Sequence, residues 1–238
     1  FKRSSTTTWR KYTGDIKKNM NIILQHWTGE LGPLELASKA NMEKYAKHCG
    51  AEYELILGNQ FHPKLHTCYQ KLIMLDKRFD KYQNVLMVDL DMFVVKNVKD
   101  NVFHVPGVGL NSKVQKDIFK SMCKGKKYRS VVDKNGPFWG GAFWKFTNEQ
   151  RKQLRKFIVY EELKIFNKNY NDEGAIHRLA TQAGLEQIDV PEEWCWGNCF
   201  PGYKEAKMIH IRHKFKYVGP KVPKLEVFNQ LKKEGVFE

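Results

Sequence analysis

In the N-terminal half of the chain, short apolar runs alternate with longer segments whose apolar positions recur at helical spacing. Residues 20–24 form the first run and lead into Gln25-His26-Trp27-Thr28-Gly29, which reads as a strand delivering an exposed loop. Leu34, Leu36, Ala37, Ala40, Met42, Tyr45 and Ala46 follow a helical period, and Gly50 stands where a C-terminal cap belongs. Residues 53–57 read as a second strand, and residues 66–79 as a second helix offering Tyr69, Leu72, Ile73 and Leu75 to a core. A third strand, Val85 to Val88, runs directly into Asp89 and Asp91. The order β-α-β-α-β predicts an α/β protein with a largely parallel sheet, helices on both faces, and ligands at the carboxyl ends of the strands.

The C-terminal half is less regular. Residues 105–110, 185–190 and 208–211 read as further strands, and residues 114–127 as a basic surface helix or excursion. Pro137-Phe-Trp-Gly-Gly-Ala-Phe-Trp-Lys-Phe146 reads as a glycine-broken turn entering an aromatic strand, because adjacent glycines allow close backbone approach. An amphipathic helix is expected over 148–166 and another over 174–183, with Asp172 at its N-cap. No repeat or linker interrupts 20–238, which is expected to be one domain; residues 1–19 are expected to be an N-terminal extension, a tag or a stem remnant.

Composition narrows the function classes. An apolar content of 42% excludes a disordered chain, while no window approaches the roughly 18 to 20 continuous apolar residues of a membrane span. The formal charge of +15 favours anionic ligands, but the Lys and Arg residues are spread over several segments without a nucleic-acid-binding motif, so no nucleic-acid partner is expected. The five cysteines lack zinc-site spacing; Cys195 and Cys199 can pair or stay free. With no Asn-x-Ser/Thr acceptor in the sequence, a cytoplasmic location is expected, the alternative being a secretory-lumen domain without its anchor.

Two carboxylates at a strand end repel each other and lose hydration unless a cation compensates them. Strand alternation points Asp89 and Asp91 the same way and Leu90 elsewhere. Hard oxygen ligands of this kind suit Mn²⁺ or Mg²⁺, which leave coordination positions for substrate phosphates. The same tripeptide also serves to cap turns that face water. Asp172 and Glu173 are the acid-base candidates outside this pair, although either can simply face the positive end of the following helix. Trp194 and Trp196 flank Cys195 in a loop-like segment and are candidates for stacking against an acceptor sugar, or for packing.

With the acid pair on the third strand, the chain resembles the GT-A superfamily of nucleotide-sugar glycosyltransferases over roughly residues 20–222. The resemblance rests on Asn41-x-x-x-Tyr45-Ala46, Tyr69-Gln-Lys-Leu72, Val88-Asp-Leu-Asp91, Trp139-Gly-Gly-Ala-Phe143 and Asn171-Asp-Glu173. It is similar to the glycogenin and lipopolysaccharide galactosyltransferase group, to the galactosyl/mannosyl/xylosyl transferases, and to short members carried by large DNA viruses. The resemblance implies a three-layer α/β/α sandwich around a mostly parallel mixed sheet, a UDP-sugar donor and a glycan or glycoprotein acceptor. It implies metal ligation by Asp89, Asp91 and His210, with His213 as a close alternative. Donor contacts would come from Gln25, His26, Trp27, Thr28, Lys71, Leu90, Gly140 and Gly141, with Asp172 as the catalytic carboxylate and Glu173 on the acceptor side. The family's His-x-x-Gly-x-x-Lys-Pro-Trp ending is missing: His213-Lys-Phe-Lys-Tyr-Val-Gly-Pro-Lys221 stands in its place. Two other functions fit an Asp-x-Asp on a strand. One is a haloacid-dehalogenase-type phosphohydrolase with Asp89 as nucleophile, though Phe93 stands where that family prefers Thr or Val. The other is a non-catalytic basic domain that binds nucleic acid or an anionic glycan.

Overall fold

The computed structural model describes residues 20–238, so the expected extension at 1–19 lies outside the described residues. Strands β1 (Asn21–Trp27), β2 (Glu52–Leu57) and β3 (Asn84–Asp89) are parallel. After β3 come β4 (Met92–Val94) and then β5 (Phe143–Thr147), which returns antiparallel to β3 and completes the sheet order β2-β1-β3-β5. The register Val88↔Phe143 puts the start of β5 beside the carboxyl end of β3. Gly140 and Gly141 therefore arrive at the same sheet edge as the acids.

Alternation along the strands builds two cores. Ile22, Leu24, Val85, Met87, Trp144 and Phe146 face one side, beneath a long 3-10 segment (Thr67–Leu75). Ile23, Leu86, Val88 and Phe143 face the other, where Met42, Tyr45 and Ala46 of helix α1 (Pro33–His48) cover them. Helix α1 ends as its sequence suggests: Gly50 has φ +64°, and Ala51 N–H reaches back to the carbonyl of Ala46. The remaining helices are α2 (Lys113–Lys124), α3 (Asn148–Arg155), α4 (Tyr160–Leu163), α5 (Asn171–Gln182) and α6 (Lys224–Lys233). Leu154 of α3 and Ile176 and Leu179 of α5 close the first core. A small second sheet, β4-β7-β6, is formed with β6 (Trp196–Gly197) and β7 (Met208–His210); Phe93 and Ile209 pack there against Val227, Phe228 and Leu231 of α6. None of these helices is long and apolar enough to cross a membrane.

Five expectations are corrected. Residues 66–79 wind as 3-10 helix, Thr67–Leu75 and Lys77–Phe79, broken at Asp76. Residues 69–75 are buried on every side, so their apolar pattern cannot distinguish the tighter coil. The helix expected over 148–166 ends at Arg155, and Val159 is extended (φ −124°), since β-branched Ile158 and Val159 weaken helical continuation. Residues 105–110 and 185–190 are not strands. Among the described residues they meet in one bridge, Gly109↔Asp189, and Pro106 and Gly107 (φ +97°) interrupt any longer ladder. Finally, Asp172 is no N-cap: Tyr170 (φ 65°) starts α5 two residues earlier, and Asp172 is buried inside its first turn.

Candidate metal and donor site

Asp89 ends β3, and its backbone is clamped on both sides. Its N–H donates to the carbonyl of Ala142 (3.0 Å), and its carbonyl accepts from Gln25 Nε2 (3.1 Å). Gln25 is itself held by Ser38 Oγ and Tyr53 OH, so every polar atom of its side chain is used within the fold. The ammonium of Lys71, from the 3-10 segment, reaches Asp89 Oδ1 (2.7 Å), the carbonyl of Gly141 (2.7 Å) and Asp172 Oδ2 (2.6 Å). It also lies over the ring of Trp144. Burial alone would lower the pKa of Lys71, but Asp172 and Asp89 outweigh it and hold the ammonium above its ordinary value. Burial pushes the Asp172 carboxyl up against the pull of Lys71. Gly141 has to be glycine here, since a Cβ would sit 2.5 Å from Asp172 Oδ2.

Asp91 is held differently. It lies in the turn between β3 and β4, not on the strand, and convergence with Asp89 comes from that turn instead of from pleat alternation. β7 pairs antiparallel with β4 and brings His210 opposite Met92, so His210 Nε2 lies 3.1 Å from Asp91 Oδ1. Lys224, in the first turn of α6, pairs with Asp91 Oδ2. Although burial raises the Asp91 carboxyl, His210 and Lys224 together hold it well below the usual carboxylate range. Despite its neighbour, Asp91 Oδ1 makes no hydrogen bond, nor does His210 Nδ1. A buried carboxylate oxygen without a hydrogen bond is unfavourable, and a cation placed beside it would satisfy it. One ligand atom each from Asp89, Asp91 and His210 lie within 4.8 Å of one another, a cluster that can hold a divalent ion. Two carboxylates with one imidazole fit Mn²⁺ well and also admit Mg²⁺.

Glu173 follows Asp172 on α5, and its Oε1 accepts from Gly141 N–H (3.1 Å). Burial and the Asp172 charge push its carboxyl up to about 7, against the pull of Gly141 N–H, Lys71 and Arg212.

The structure thus gathers Asp89, Asp91, His210, Lys71, Gly141, Asp172 and Glu173 at one edge. Others fall elsewhere. Gln25 and His26 lie within β1, buried, and not in a loop; the Gln25 side chain is fully used within the fold, and His26 Nε2 is bonded to the carbonyl of Gly58 (2.8 Å). Trp27 and Thr28 are half-buried at the end of β1, with Trp27 Nε1 on the carbonyl of Glu30. Leu90 is buried between the acids, and Gly140 N–H is used by Leu110. Trp194, expected on an acceptor surface, is 1% exposed in the core, with Lys207 over its ring. Trp196 is half-buried and packs toward the α6 core. His213 is exposed and turns to Val222, which leaves His210 as the ligand in reach. Cys195 and Cys199 are both free thiols. Lys224 was not foreseen; its one sequence signal is the run of cations without acids from Lys207 to Lys224.

No protein-family model matches the sequence, and neither does any curated protein. Solved structures do. A glycosyltransferase involved in glycosylation of the major capsid of PBCV-1 aligns with TM-score 0.51 at 12% identity, over 90% of this chain and 98% of that one. The galactosyltransferase LgtC, in complex with donor and acceptor sugar analogues, aligns with TM-score 0.52 at 11% identity, over 90% and 95%. The chain has the GT-A type of α/β fold that these two glycosyltransferases share.

Proposed function

We propose that this protein is a metal-dependent glycosyltransferase, moving a sugar from a nucleoside diphosphate donor, UDP-linked in the first instance, to a hydroxyl of a glycan or glycoprotein. One observation carries the reading: Asp89, Asp91 and His210 converge at the carboxyl edge of a GT-A-type sheet, with Asp91 Oδ1 buried beside His210 and making no hydrogen bond. A divalent ion at these residues would offset the charge that grows on a departing diphosphate. The chain's own part is to hold that charge pattern rigid. Lys71 anchors Asp89 and the Gly141 carbonyl in one place, and Gln25 fixes the Asp89 backbone. Asp172, locked on Lys71, lines the donor side beneath Gly141. Preorganised charges of this kind need no rearrangement as the bond breaks.

Asp89 ends β3 in the order β2-β1-β3-β5 with Asp91 in the turn after it, and the fold matches sugar transferases, which favours sugar transfer over a haloacid-dehalogenase-type phosphohydrolase. Titration calorimetry with Mn²⁺ and Mg²⁺, followed by UDP and other nucleoside diphosphates, is the direct test, joined to a donor panel with and without chelator. The expected outcome is ion-assisted nucleotide binding and chelator-sensitive donor turnover. Salt-sensitive nucleic-acid binding with no ion-assisted nucleotide binding would support the non-catalytic reading instead.

A further inference from the structure

The loop that follows β7 holds three large apolar side chains in solvent within four residues: Phe215 is 42% exposed, Tyr217 53% and Val218 90%. Its base is braced. Asn198 Oδ1 accepts from Arg212 N–H (2.6 Å), and Asn198 Nδ2 donates to the carbonyl of Lys214 (2.7 Å). Tyr217 N–H donates to the carbonyl of Cys199 (3.0 Å) while the Tyr217 ring stacks on Phe200, and Val222 N–H returns to the carbonyl of His213 (2.8 Å). These bonds hold Val218 outward at the tip. Phe215 borders an open groove beside it with Pro223 and Leu225. Single exposed apolar residues are ordinary, whereas a braced cluster of them marks a contact surface.

Charge says what covers it. Between Glu205 and Glu226 the chain has no acid and six Lys or Arg. Lys207 is paired with Asp100, and Lys224 with Asp91. Among the described residues, Arg212, Lys214, Lys216 and Lys221 have no carboxylate at ion-pair distance. An apolar tip in water is unfavourable, and clustered like charges repel; a partner that is negative at its surface and apolar beneath relieves both. We propose that this loop docks on an anionic lipid bilayer, with Val218 and Phe215 entering the headgroup boundary and Lys214, Lys216 and Lys221 lying among acidic headgroups. The loop leaves β7 directly after His210, so docking holds the metal edge near the bilayer. A nucleic acid would take the cations but leave Val218 in water, since an aliphatic tip offers no face for base stacking. A second copy meeting the same patch would set these cations against themselves.

The test is co-sedimentation of the full chain with vesicles of phosphatidylcholine alone and of phosphatidylcholine containing about one third phosphatidylserine. Chelator is present throughout, which keeps a divalent ion at Asp89, Asp91 and His210 from bridging to lipid phosphate. The outcome therefore stands apart from the glycosyltransferase reading. Wild type is expected to bind the acidic vesicles at least about tenfold more tightly than the neutral ones, and less tightly as salt rises from about 0.1 M to about 0.5 M. Val218→Ser should weaken that binding by on the order of three- to tenfold. Lys216→Gln combined with Lys221→Gln should weaken it by on the order of 10- to 30-fold. Val218→Trp should tighten it, because indole favours the interface. All three positions are exposed, so circular dichroism and the melting midpoint should stay those of wild type.

Equal affinity for neutral and acidic vesicles overturns the proposal, because the lysines would then contribute nothing. Vesicle binding that ignores every one of these substitutions also overturns it, by placing the contact elsewhere on the molecule. Binding to duplex DNA that is lost in the lysine variant and unchanged in Val218→Ser, with no vesicle binding, would assign the cations to nucleic acid instead. A dimer seen by light scattering and dissolved by Val218→Ser, again with no vesicle binding, would give the tip to a second copy of the chain.

Discussion

The two acids of Asp89-Leu90-Asp91 are two residues apart, yet they belong to different halves of the molecule. Asp89 sits on the main sheet, where Lys71 spends its donors on Asp89 and Gly141 while touching Asp172; the Lys71 side chain is 10% exposed. Asp91 belongs to the small sheet and α6, and its cation, Lys224, is 27% exposed. On the first side, two carboxylates share one buried ammonium, and Asp172 Oδ2, 2.6 Å from it, makes no hydrogen bond of its own. On the second, a carboxylate oxygen remains without a hydrogen bond and an imidazole waits beside it. The Asp89 side thus builds the platform, and the Asp91 side keeps the coordinating capacity.

Lys71→Met is the strongest way to break that contrast. It leaves Asp89 and Asp172 facing each other without their shared counter-ion. Removing one partner of a buried ion pair typically costs about 3–5 kcal/mol. Urea denaturation should show a loss of that size. A loss below about 1 kcal/mol would mean the ion set is solvated and the platform is held by packing alone.

Asp91→Asn probes the other half, where the expected stability change is small and the expected functional change is large. Metal binding measured by calorimetry without nucleotide should disappear, and donor turnover should drop by on the order of 10²–10³-fold. Circular dichroism should stay that of wild type. Turnover that persists while Asp89→Asn abolishes it would shift the coordinating role to the main-sheet side.

The same division sets what could be read from residue order. β1, β2 and β3 were legible because each is a short buried run, and the acid pair stood out at the end of the third. The Gly50 cap was legible because a left-handed turn calls for glycine. Elements stabilised by distant partners were not. The extended stretch at 105–110 is pinned by Ile188, Val190 and Lys145, none of which leaves a local signature. Asp172 looked like a cap because caps and buried acids share a residue type; only the positive φ of Tyr170 moves the helix start upstream. Gln25 and His26 looked like loop because their side chains are polar, although the fold satisfies Gln25 internally and bonds His26 Nε2 to the carbonyl of Gly58. Lys224 contacts Asp91 across 133 residues, and such a pairing has no period to find.

Lys224→Met is the mildest of these changes and separates two roles for that cation. As a half-open ion pair it should contribute no more than about 1 kcal/mol to stability. Its charge, however, sits on the Asp91 oxygen opposite the coordinating one, where it opposes any divalent ion. Taking it away should tighten metal binding without nucleotide by on the order of tenfold, the size expected for a unit charge near a divalent ion at roughly 6 Å in a water-like dielectric. The gain should shrink as salt is raised, since the pair is partly exposed. Weaker metal binding would show the reverse: that the ammonium orients Asp91 for coordination, and that the small-sheet side is as preorganised as the Lys71 side.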